Sequence, residues 1–303
     1  MKVPALLWHN GRIKPWHEAS VHVGAHALHY GSSVFEGIRV YATPQGPAIF
    51  RLREHIDRLV AGANAYGMEL AYDATALCNA VIETVRASAR NAAYVRPLAF
   101  FGGETVRLNP GTECPVHVMI AVLPFDGLVP GGAGTPLFRA TISPFMKTPS
   151  RALPSTVKAG GHYTNSIRAL AEAQHRGFDE TILRNDRGDV AEGSGENIFI
   201  VRDGVLITND ADADILPGVT RASVLALARE AGITTRVRPL TVDDLDASEE
   251  AFFTGTAAEV VPIVQIDDHV YTGEGPTTER LRTIYTDVVR GRRPAPGPWL
   301  TQV

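Results

Sequence analysis

The chain has 303 residues, of which 45% are hydrophobic and 20% charged, a balance typical of a globular protein long enough for two domains. Its formal net charge of −4 gives no electrostatic reason to expect nucleic acid as a partner. No apolar run approaches the roughly 20 residues that span a bilayer, and the apolar stretch near Met1 is too short for a signal peptide, so we expect no membrane partner and a cytoplasmic location.

Strand and helix signals alternate along the first 125 residues. The predicted elements are a hairpin over 5–15, a strand leading into a helix over 48–68, a helix over 77–85, and buried strands over 94–101 and 116–125. Asn10-Gly11 supplies the turn of the hairpin, because this dipeptide adopts the tight turns that join antiparallel strands. This part of the chain is predicted to form a small N-terminal α/β domain, residues 1–125.

A glycine- and proline-rich segment, residues 126–136, is predicted to be an interdomain loop because it cannot hold regular structure. Beyond it the sequence predicts a strand over 139–145, a helix over 164–175, a strand over 180–186, a hairpin over 197–208 and a helix over 220–232. Residues 137–303 are therefore predicted to form a larger C-terminal α+β domain. The fold class is α/β, with mixed α+β character and two domains.

Three histidines, His22, His26 and His29, are spaced so that a helix would place them on one face as metal ligands. Gly24 interrupts the segment, and Val21 and its neighbours are typical of a strand, which would scatter the three rings. No metal site is therefore predicted.

Lysine is rare in this chain, and one lysine lies in the segment "PSTVKAGGHYTNS". Besides Lys2, Lys14 and Lys147, the chain has only Lys158. Ser155 and Lys158 match S-x-x-K, the nucleophile motif of penicillin-binding enzymes, but Lys147-Thr148-Pro149, which lies upstream and lacks the glycine, is a poor match to the K-T-G element that this chemistry also needs. Serine acyl transfer is therefore a remote alternative.

Lys158 is better explained as the amine that carries a carbonyl cofactor, pyridoxal 5′-phosphate, as a Schiff base. This chemistry needs an acid facing the pyridine nitrogen, a hydrogen bond to the phenolic oxygen, and a cradle for the phosphate. The residues that match these needs are Glu192, Tyr163, the helix N-terminus at Gly218, Val219 and Thr220, the turn at Gly255-Thr256, and Arg58.

These segments resemble the class IV, or fold-type IV, pyridoxal-phosphate aminotransferases, and specifically the branched-chain amino acid aminotransferases. The matching segments, in the family's order, are "HALHYGSSVFEGIRVY", "FRLREHIDRL", "YVRPLAFFGG", "VKAGGHYTNS", "EGSGENIF", "LPGVTR" and "GTAAEVVPI". The resemblance implies a cofactor cleft between two domains and an internal aldimine on Lys158. It also implies that Glu192 faces the pyridine nitrogen, Tyr163 binds the phenolic oxygen, Asn197 supports the Glu192 loop, and the phosphate is held by Arg58, Val219, Thr220 and Thr256.

The resemblance also implies the substrates and the reaction. Leu, Ile and Val would exchange their amino group with 2-oxoglutarate by a ping-pong mechanism in a pocket formed by Phe35, Gly37, Tyr94, Arg96, Thr256 and Ala257. Aromatic walls suit a branched aliphatic side chain, and the Arg96 guanidinium can pair with the second carboxylate of glutamate. Tyr30 and Leu108 would come from the neighbouring subunit of a homodimer or a higher homo-oligomer.

Two points are left open by the sequence. D-amino acid aminotransferases, (R)-amine transaminases and aminodeoxychorismate lyase share the lysine and the glutamate, although "YVRPL" and "GTAAEV" favour the branched-chain type. Arg107 stands where the family usually has small residues, and an inward side chain would bind an acidic substrate, whereas an outward one would be solvated.

Overall fold

The computed structural model describes residues 3–125 and 137–303, so the predicted loop over 126–136 lies outside the described residues. The strands are β1 Leu6–His9, β2 Arg12–Pro15, β3 Ser33–Phe35, β4 Ile38–Thr43, β5 Gly46–Phe50, β6 Ala93–Phe101, β7 Val116–Leu123, β8 Phe138–Met146, β9 Glu180–Arg184, β10 Val190–Gly193, β11 Asn197–Arg202, β12 Val205–Thr208, β13 Thr235–Val237, β14 Glu250–Gly255, β15 Glu259–Ile266, β16 His269–Val270 and β17 Leu300–Gln302. The α-helices are α1 His26–Tyr30, α2 Leu52–Ala65, α3 Ala74–Ser88, α4 Tyr163–His175, α5 Val219–Glu230, α6 Val242–Asp246 and α7 Pro276–Val289.

The chain folds as two compact units. Of the described residues, the first unit contains 3–125, 157–161 and 289–303, and the second contains 137–156 and 162–288. The short segment 157–161 in the first unit includes Lys158. The domain boundaries at 125 and 137 stay a prediction.

The first unit is built on one antiparallel sheet. Its strand order is β17-β5-β4-β6-β7-β1-β2, and β3 also pairs with β6. Helices α2 and α3 bury one apolar face each, and Ile56, Leu59, Leu77, Val81 and Val85 pack into the same core as the sheet. The two helices predicted from the spacing of apolar residues are therefore confirmed.

A break in this sheet separates β3 from β4 at Glu36 and Gly37. Opposite the break lies Pro97 in the middle of β6, which has no N–H to give to a ladder. The Glu36 N–H donates to the Pro97 carbonyl at 2.9 Å, and the Glu36 side chain is fully buried. A proline in a central strand therefore coincides with the point at which the chain turns a carboxylate inward.

The second unit contains a mixed sheet. Its strand order is β10-β9-β8-β15-β14-β11-β12-β13, and β16 pairs with β15. The pairs β8–β9, β8–β15 and β12–β13 are parallel, and the other pairs are antiparallel. The core of this unit combines inward side chains of β11, β14 and β15, among them Ile198, Phe253 and Val261.

Most of the predicted elements are present with the expected bounds. The hairpins over 5–15 and 197–208 are confirmed, as are the helix that begins at Tyr163 and the strands β6, β7, β8 and β9. None of the helices in the described ranges has both the length and the apolarity needed to cross a membrane.

The prediction of strand structure around the three histidines was wrong in part. Residues 26–30 form the short helix α1, and no strand is assigned between Pro15 and Ser33. The His26 ring contacts the Ser32 hydroxyl oxygen at 2.7 Å and the Arg107 carbonyl oxygen at 3.1 Å, so its two nitrogens hold neighbouring loops. Within the described residues, no group of three or more His, Cys, Asp or Glu side chains could hold a metal ion.

Candidate functional site

Lys158 lies on a segment that pairs with β3 in the first unit. Val34 and Ala159 form an antiparallel bridge, and the Phe35 N–H donates to the Lys158 carbonyl at 3.0 Å. Val157 and Ala159, on either side of the lysine, are buried in the core of the unit. The Lys158 side chain is half-buried, with Nζ 5.3 Å from the centroid of the Phe35 ring. The backbone is thus anchored on both sides of Lys158.

Gly31 and Gly160 allow the 157–161 segment to lie close to β3 and to the residues just before it. A Cβ on Gly160 would lie 2.4 Å from the Ser33 hydroxyl oxygen. Gly31 has a positive φ of 64°, and a Cβ there would lie 3.0 Å from the Gly161 Cα. Larger residues would push the 157–161 segment away from β3 and move Lys158 with it.

Arg58 is held by a buried carboxylate that the sequence analysis missed. The guanidinium donates from Nε to Glu36 Oε1 at 2.6 Å and from Nη2 to Glu36 Oε2 at 3.0 Å. His55, one helical turn earlier on α2, has Nδ1 2.7 Å from Glu36 Oε2, and the Gly37 N–H donates to the same oxygen at 3.3 Å. The guanidinium fork therefore has a fixed orientation.

The charge states within this cluster follow from burial and pairing. Burial raises the pKa of Glu36, but Arg58 and then His55 outweigh it, and the pKa lies well below its usual range. Burial lowers the pKa of His55, although Glu36 acts in the opposite direction, and the positive charges of Arg58 and Lys158 lower it further. The cluster therefore consists of an ionised carboxylate, a guanidinium and a neutral imidazole.

Four residues predicted to form the substrate pocket lie together in the first unit. The Arg96 guanidinium carbon is 4.6 Å from the centroid of the Phe35 ring, and Nη2 donates to the Tyr94 hydroxyl at 3.0 Å. A Cβ on Gly37 would come within 2.0 Å of the Tyr94 hydroxyl, so only glycine leaves room for that ring. Arg96 Nε is buried without a hydrogen-bond partner among the described residues. This wall combines aromatic surface with an unsatisfied cationic donor.

Tyr30 and Leu108 lie on an exposed apolar surface of the first unit. Leu28, Tyr30, Val106 and Leu108 expose 63%, 43%, 75% and 80% of their surface, and the Tyr30 hydroxyl donates to the Val106 carbonyl at 2.8 Å. Arg107 is also exposed. An exposed patch of large apolar side chains is typical of a protein interface.

Glu192 lies on β10 in the second unit and is buried. Its Oε2 accepts hydrogen bonds from Asn197 Nδ2 and from the Leu216 N–H, both at 3.0 Å. Its Oε1 accepts from Lys147 Nζ at 2.5 Å, a contact that the sequence analysis did not anticipate. Asn197 also donates to the Leu216 carbonyl at 2.9 Å, so the carboxylate and its support are fixed to the segment before α5.

Helix α5 begins without a side-chain cap among the described residues. Gly218 is its N-cap residue and precedes Val219 and Thr220. A Cβ on Gly218 would lie 2.0 Å from Asn197 Oδ1, so glycine is required for this packing. The register of β11 and β14 pairs Asn197 with Thr254, just before the turn that contains Thr256 and Ala257. Uncapped N–H groups at a helix start attract phosphate.

Tyr163 and Ser155, which the sequence analysis also named, both lie in the second unit. Tyr163 is half-buried in the first turn of α4. Ser155 is buried, and its hydroxyl oxygen lies 2.8 Å from that of Ser150. Because this hydroxyl is engaged in the second unit, its surroundings do not favour the serine acyl-transfer alternative.

The residues of each unit fit a phosphate-bearing carbonyl cofactor. The first unit supplies a half-buried lysine and an oriented arginine, and the second supplies a buried carboxylate and an uncapped helix N-terminus. A side chain on Gly37, Gly160 or Gly218 would clash with a neighbouring side-chain oxygen.

Comparison with known proteins identifies the family. The model of the class IV aminotransferases matches residues 33–266. The chain belongs to the class IV aminotransferases. Among similar proteins, the branched-chain-amino-acid aminotransferase of Pseudomonas aeruginosa is 40% identical over 98% of this chain and 97% of its own length. The expected family is thus confirmed, together with the mixed α/β fold class.

Solved class IV aminotransferases share the fold of this chain. The branched-chain enzyme of Escherichia coli is 36% identical, with a TM-score of 0.96 over 99% of both chains. The T.th. branched-chain enzyme is 41% identical, with a TM-score of 0.93 over 100% of this chain and 99% of its own, and was solved with pyridoxamine 5′-phosphate. It was also solved with N-(5′-phosphopyridoxyl)-L-glutamate and with 4-methylvaleric acid.

Proposed function

We propose that this aminotransferase transfers the amino group of Leu, Ile or Val to 2-oxoglutarate by a ping-pong mechanism that depends on pyridoxal 5′-phosphate. The products would be the branched 2-oxo acids and glutamate. The compounds found with the T.th. enzyme support this choice, because they combine the cofactor with glutamate and include a branched aliphatic acid.

The single observation that carries the substrate assignment is the buried Nε of Arg96, which has no hydrogen-bond partner among the described residues. A buried donor without a partner costs about 1–3 kcal/mol, so a site that keeps one is set to receive an acceptor. The second carboxylate of glutamate would satisfy it with a charge-assisted hydrogen bond. When a branched amino acid is bound instead, Phe35 and Tyr94 would contact its methyl groups, and Thr256 and Ala257 would receive the α-carboxylate.

The cofactor would be held by residues that act on separate atoms. Arg58, Val219, Thr220 and Thr256 would bind the phosphate, Tyr163 the phenolic oxygen and Glu192 the pyridine nitrogen, and Asn197 would orient Glu192. When bound, the cofactor supplies an electron sink that stabilises negative charge at the substrate Cα.

Lys158 would be the attachment point of the cofactor and the base of the reaction. Its Nζ, once displaced by the amino substrate, would accept the proton from the substrate Cα. The 157–161 segment holds the lysine backbone against β3, so the side chain torsions alone would move the amine. The Glu192 carboxylate would keep a proton on the ring nitrogen, as the electron sink requires.

We further propose a homodimer, or a higher homo-oligomer, in which Tyr30 and Leu108 contact the site of the neighbouring subunit. The exposed apolar side chains of this surface support an interface with a second copy. Sedimentation velocity of the wild type and of Leu108→Glu tests this: we expect a dimer that the charged variant weakens. A monomeric wild type would contradict it. The cytoplasmic location stays a prediction.

An amino-donor panel tests the activity. L-Leucine, L-isoleucine, L-valine, L-aspartate, D-alanine and (R)-1-phenylethylamine are each combined with 2-oxoglutarate or pyruvate, and the visible spectrum is recorded before and after borohydride. We expect the three branched L-amino acids with 2-oxoglutarate to react fastest, and a visible band that borohydride bleaches.

Two results would replace the proposal. Rates with D-alanine or (R)-1-phenylethylamine near that of L-leucine would assign a D-amino acid or (R)-amine transaminase of the same fold. A protein that takes up no chromophore would remove the cofactor from the proposal altogether.

A further inference from the structure

Lys147, one of four lysines in the chain, lies directly against Glu192. The ammonium nitrogen is 2.5 Å from Oε1, and the two side chains are only 16% and 8% exposed. Most surface ion pairs contribute little to stability because water screens them, but a largely buried pair is screened much less. The charge of Lys147 therefore acts strongly on the Glu192 carboxylate.

The sheet of the second unit sets the position of Lys147. The residue follows β8, whose last residue, Met146, pairs with Arg184 on β9, and Arg184 pairs in turn with Val190 on β10. The Lys147 N–H donates to the Arg184 carbonyl at 2.7 Å. Backbone pairing thus brings the lysine to the end of the sheet where Glu192 lies, two residues after Val190.

Among the described hydrogen-bond donors to the Glu192 carboxylate, only Lys147 is charged. The other two donors, Asn197 Nδ2 and the Leu216 N–H, are neutral. The Arg221 guanidinium donates to the Asn209 carbonyl at 2.6 Å, so its charge acts on Glu192 without a direct hydrogen bond among the described contacts. Burial, and then the charge of Lys147, lowers the pKa of His162, so that ring adds no positive charge at neutral pH.

A buried carboxylate without a nearby cation is destabilising, because burial disfavours its charge. We propose that Lys147 is a positioning residue that compensates the charge of Glu192 and orients its carboxylate while the cofactor is absent, and that this contact is no longer needed once the cofactor is bound. This inference rests on the proposed cofactor role of Glu192.

Thermal unfolding of the full chain, with and without pyridoxal 5′-phosphate, tests the inference. Replacing Lys147 by methionine keeps the length of the side chain and removes the charge. We expect the Tm of cofactor-free Lys147→Met to fall by about 5 °C, and the cofactor-saturated Tm to stay within about 2 °C of the wild type. Lys147→Arg should behave like the wild type. Arg139→Met, which removes a cation from an exposed pair with Asp179 in the same unit, should change neither Tm.

A double-mutant cycle separates this role from simple packing. In a Glu192→Gln background, Lys147→Met should cause no further loss of Tm without cofactor, because the charge that it compensates is gone. This double variant also remains measurable if Lys147→Met alone fails to fold. Equal losses with and without cofactor, or full additivity with Glu192→Gln, would overturn the inference. A wild type whose Tm does not respond to the cofactor would instead refute the proposed function.

Discussion

Two buried carboxylates, one in each unit, have different surroundings. Glu36 is fully buried and accepts four hydrogen bonds, which come from Arg58 twice, His55 and the Gly37 N–H. Glu192 is also buried and accepts three, and only Lys147 among these donors is charged. A carboxylate can accept about four hydrogen bonds, so Glu36 is saturated and Glu192 is not.

This difference shows how similar groups take different roles. A saturated carboxylate can only orient its partners, and Glu36 orients the arginine proposed to hold the phosphate. A carboxylate with remaining acceptor capacity can bind a further donor, and the ring nitrogen is the donor proposed for Glu192. Changes at Glu36 should therefore act mainly on stability, and changes at Glu192 mainly on rate.

The largest effect is expected from the loss of the Lys158 amine, because neither carboxylate can replace it. Lys158→Ala should abolish transamination, because no other group of the 157–161 segment can attach the cofactor or accept the Cα proton. The fold should persist, since this side chain is only half-buried. Activity assays with L-leucine and circular dichroism measure both. An active Lys158→Ala protein would end the proposal.

Glu192→Gln tests the catalytic half of the comparison. Glutamine keeps the shape of the side chain but cannot hold a proton on the ring nitrogen. We expect kcat with L-leucine to fall by about a hundredfold or more, in line with the loss of one electrostatic contact to the reacting group. Steady-state kinetics with saturating cofactor provide the measurement. A kcat within threefold of the wild type would exclude Glu192 from this role.

Glu36→Gln tests the structural half. The change leaves the Arg58 guanidinium without its anion in a buried site, so the free energy of unfolding should fall by about 3 kcal/mol. Asp57→Asn on the same helix is the matched control. It breaks an exposed pair with Arg53, and we expect a loss below about 0.5 kcal/mol. Urea unfolding compares the three proteins, and similar losses for both variants would contradict the assignment.

His55 predicts a pH dependence of stability. Its pKa is lowered in the folded protein from an ordinary value of 6.5, so the unfolded chain binds more protons as the pH falls below 6.5. Stability should therefore fall from pH 7.5 to 5.5, and His55 accounts for at most about 1.4 kcal/mol of this. In His55→Gln, whose amide can still donate to Glu36, the fall should be smaller by that amount. Parallel pH slopes for the two proteins would show that His55 does not titrate this way.

Arg107 is expected to have the smallest effect. The side chain is exposed, which favours the solvated alternative over an inward one that binds acidic substrates. Arg107→Gly should leave the ratios of activity on leucine, glutamate and aspartate unchanged. A shift of these ratios toward leucine would show that Arg107 contributes to the binding of acidic substrates.

Sequence patterns predicted the elements well where the pattern is local. The i, i+4, i+8 spacing of Leu77, Val81 and Val85 predicts α3, and Asn10-Gly11 predicts the first hairpin, because neighbours along the chain decide both. The strand interpretation near His26 was wrong, since a five-residue helix is too short to produce a clear period. Phe35, Gly37, Tyr94 and Arg96 were predicted as one pocket, and the structure brings them together.

By itself the sequence determined the family, the lysine and the set of residues that can serve a phosphate-bearing cofactor, because motifs record which chemical groups are present and in what order. Only the tertiary structure decided which charge faces which. Glu36 pairs with Arg58, 22 residues away along the chain, and Lys147 pairs with Glu192, 45 residues away. Such pairings depend on a sheet break opposite Pro97 and on the β8–β9–β10 register, and no local pattern contains either.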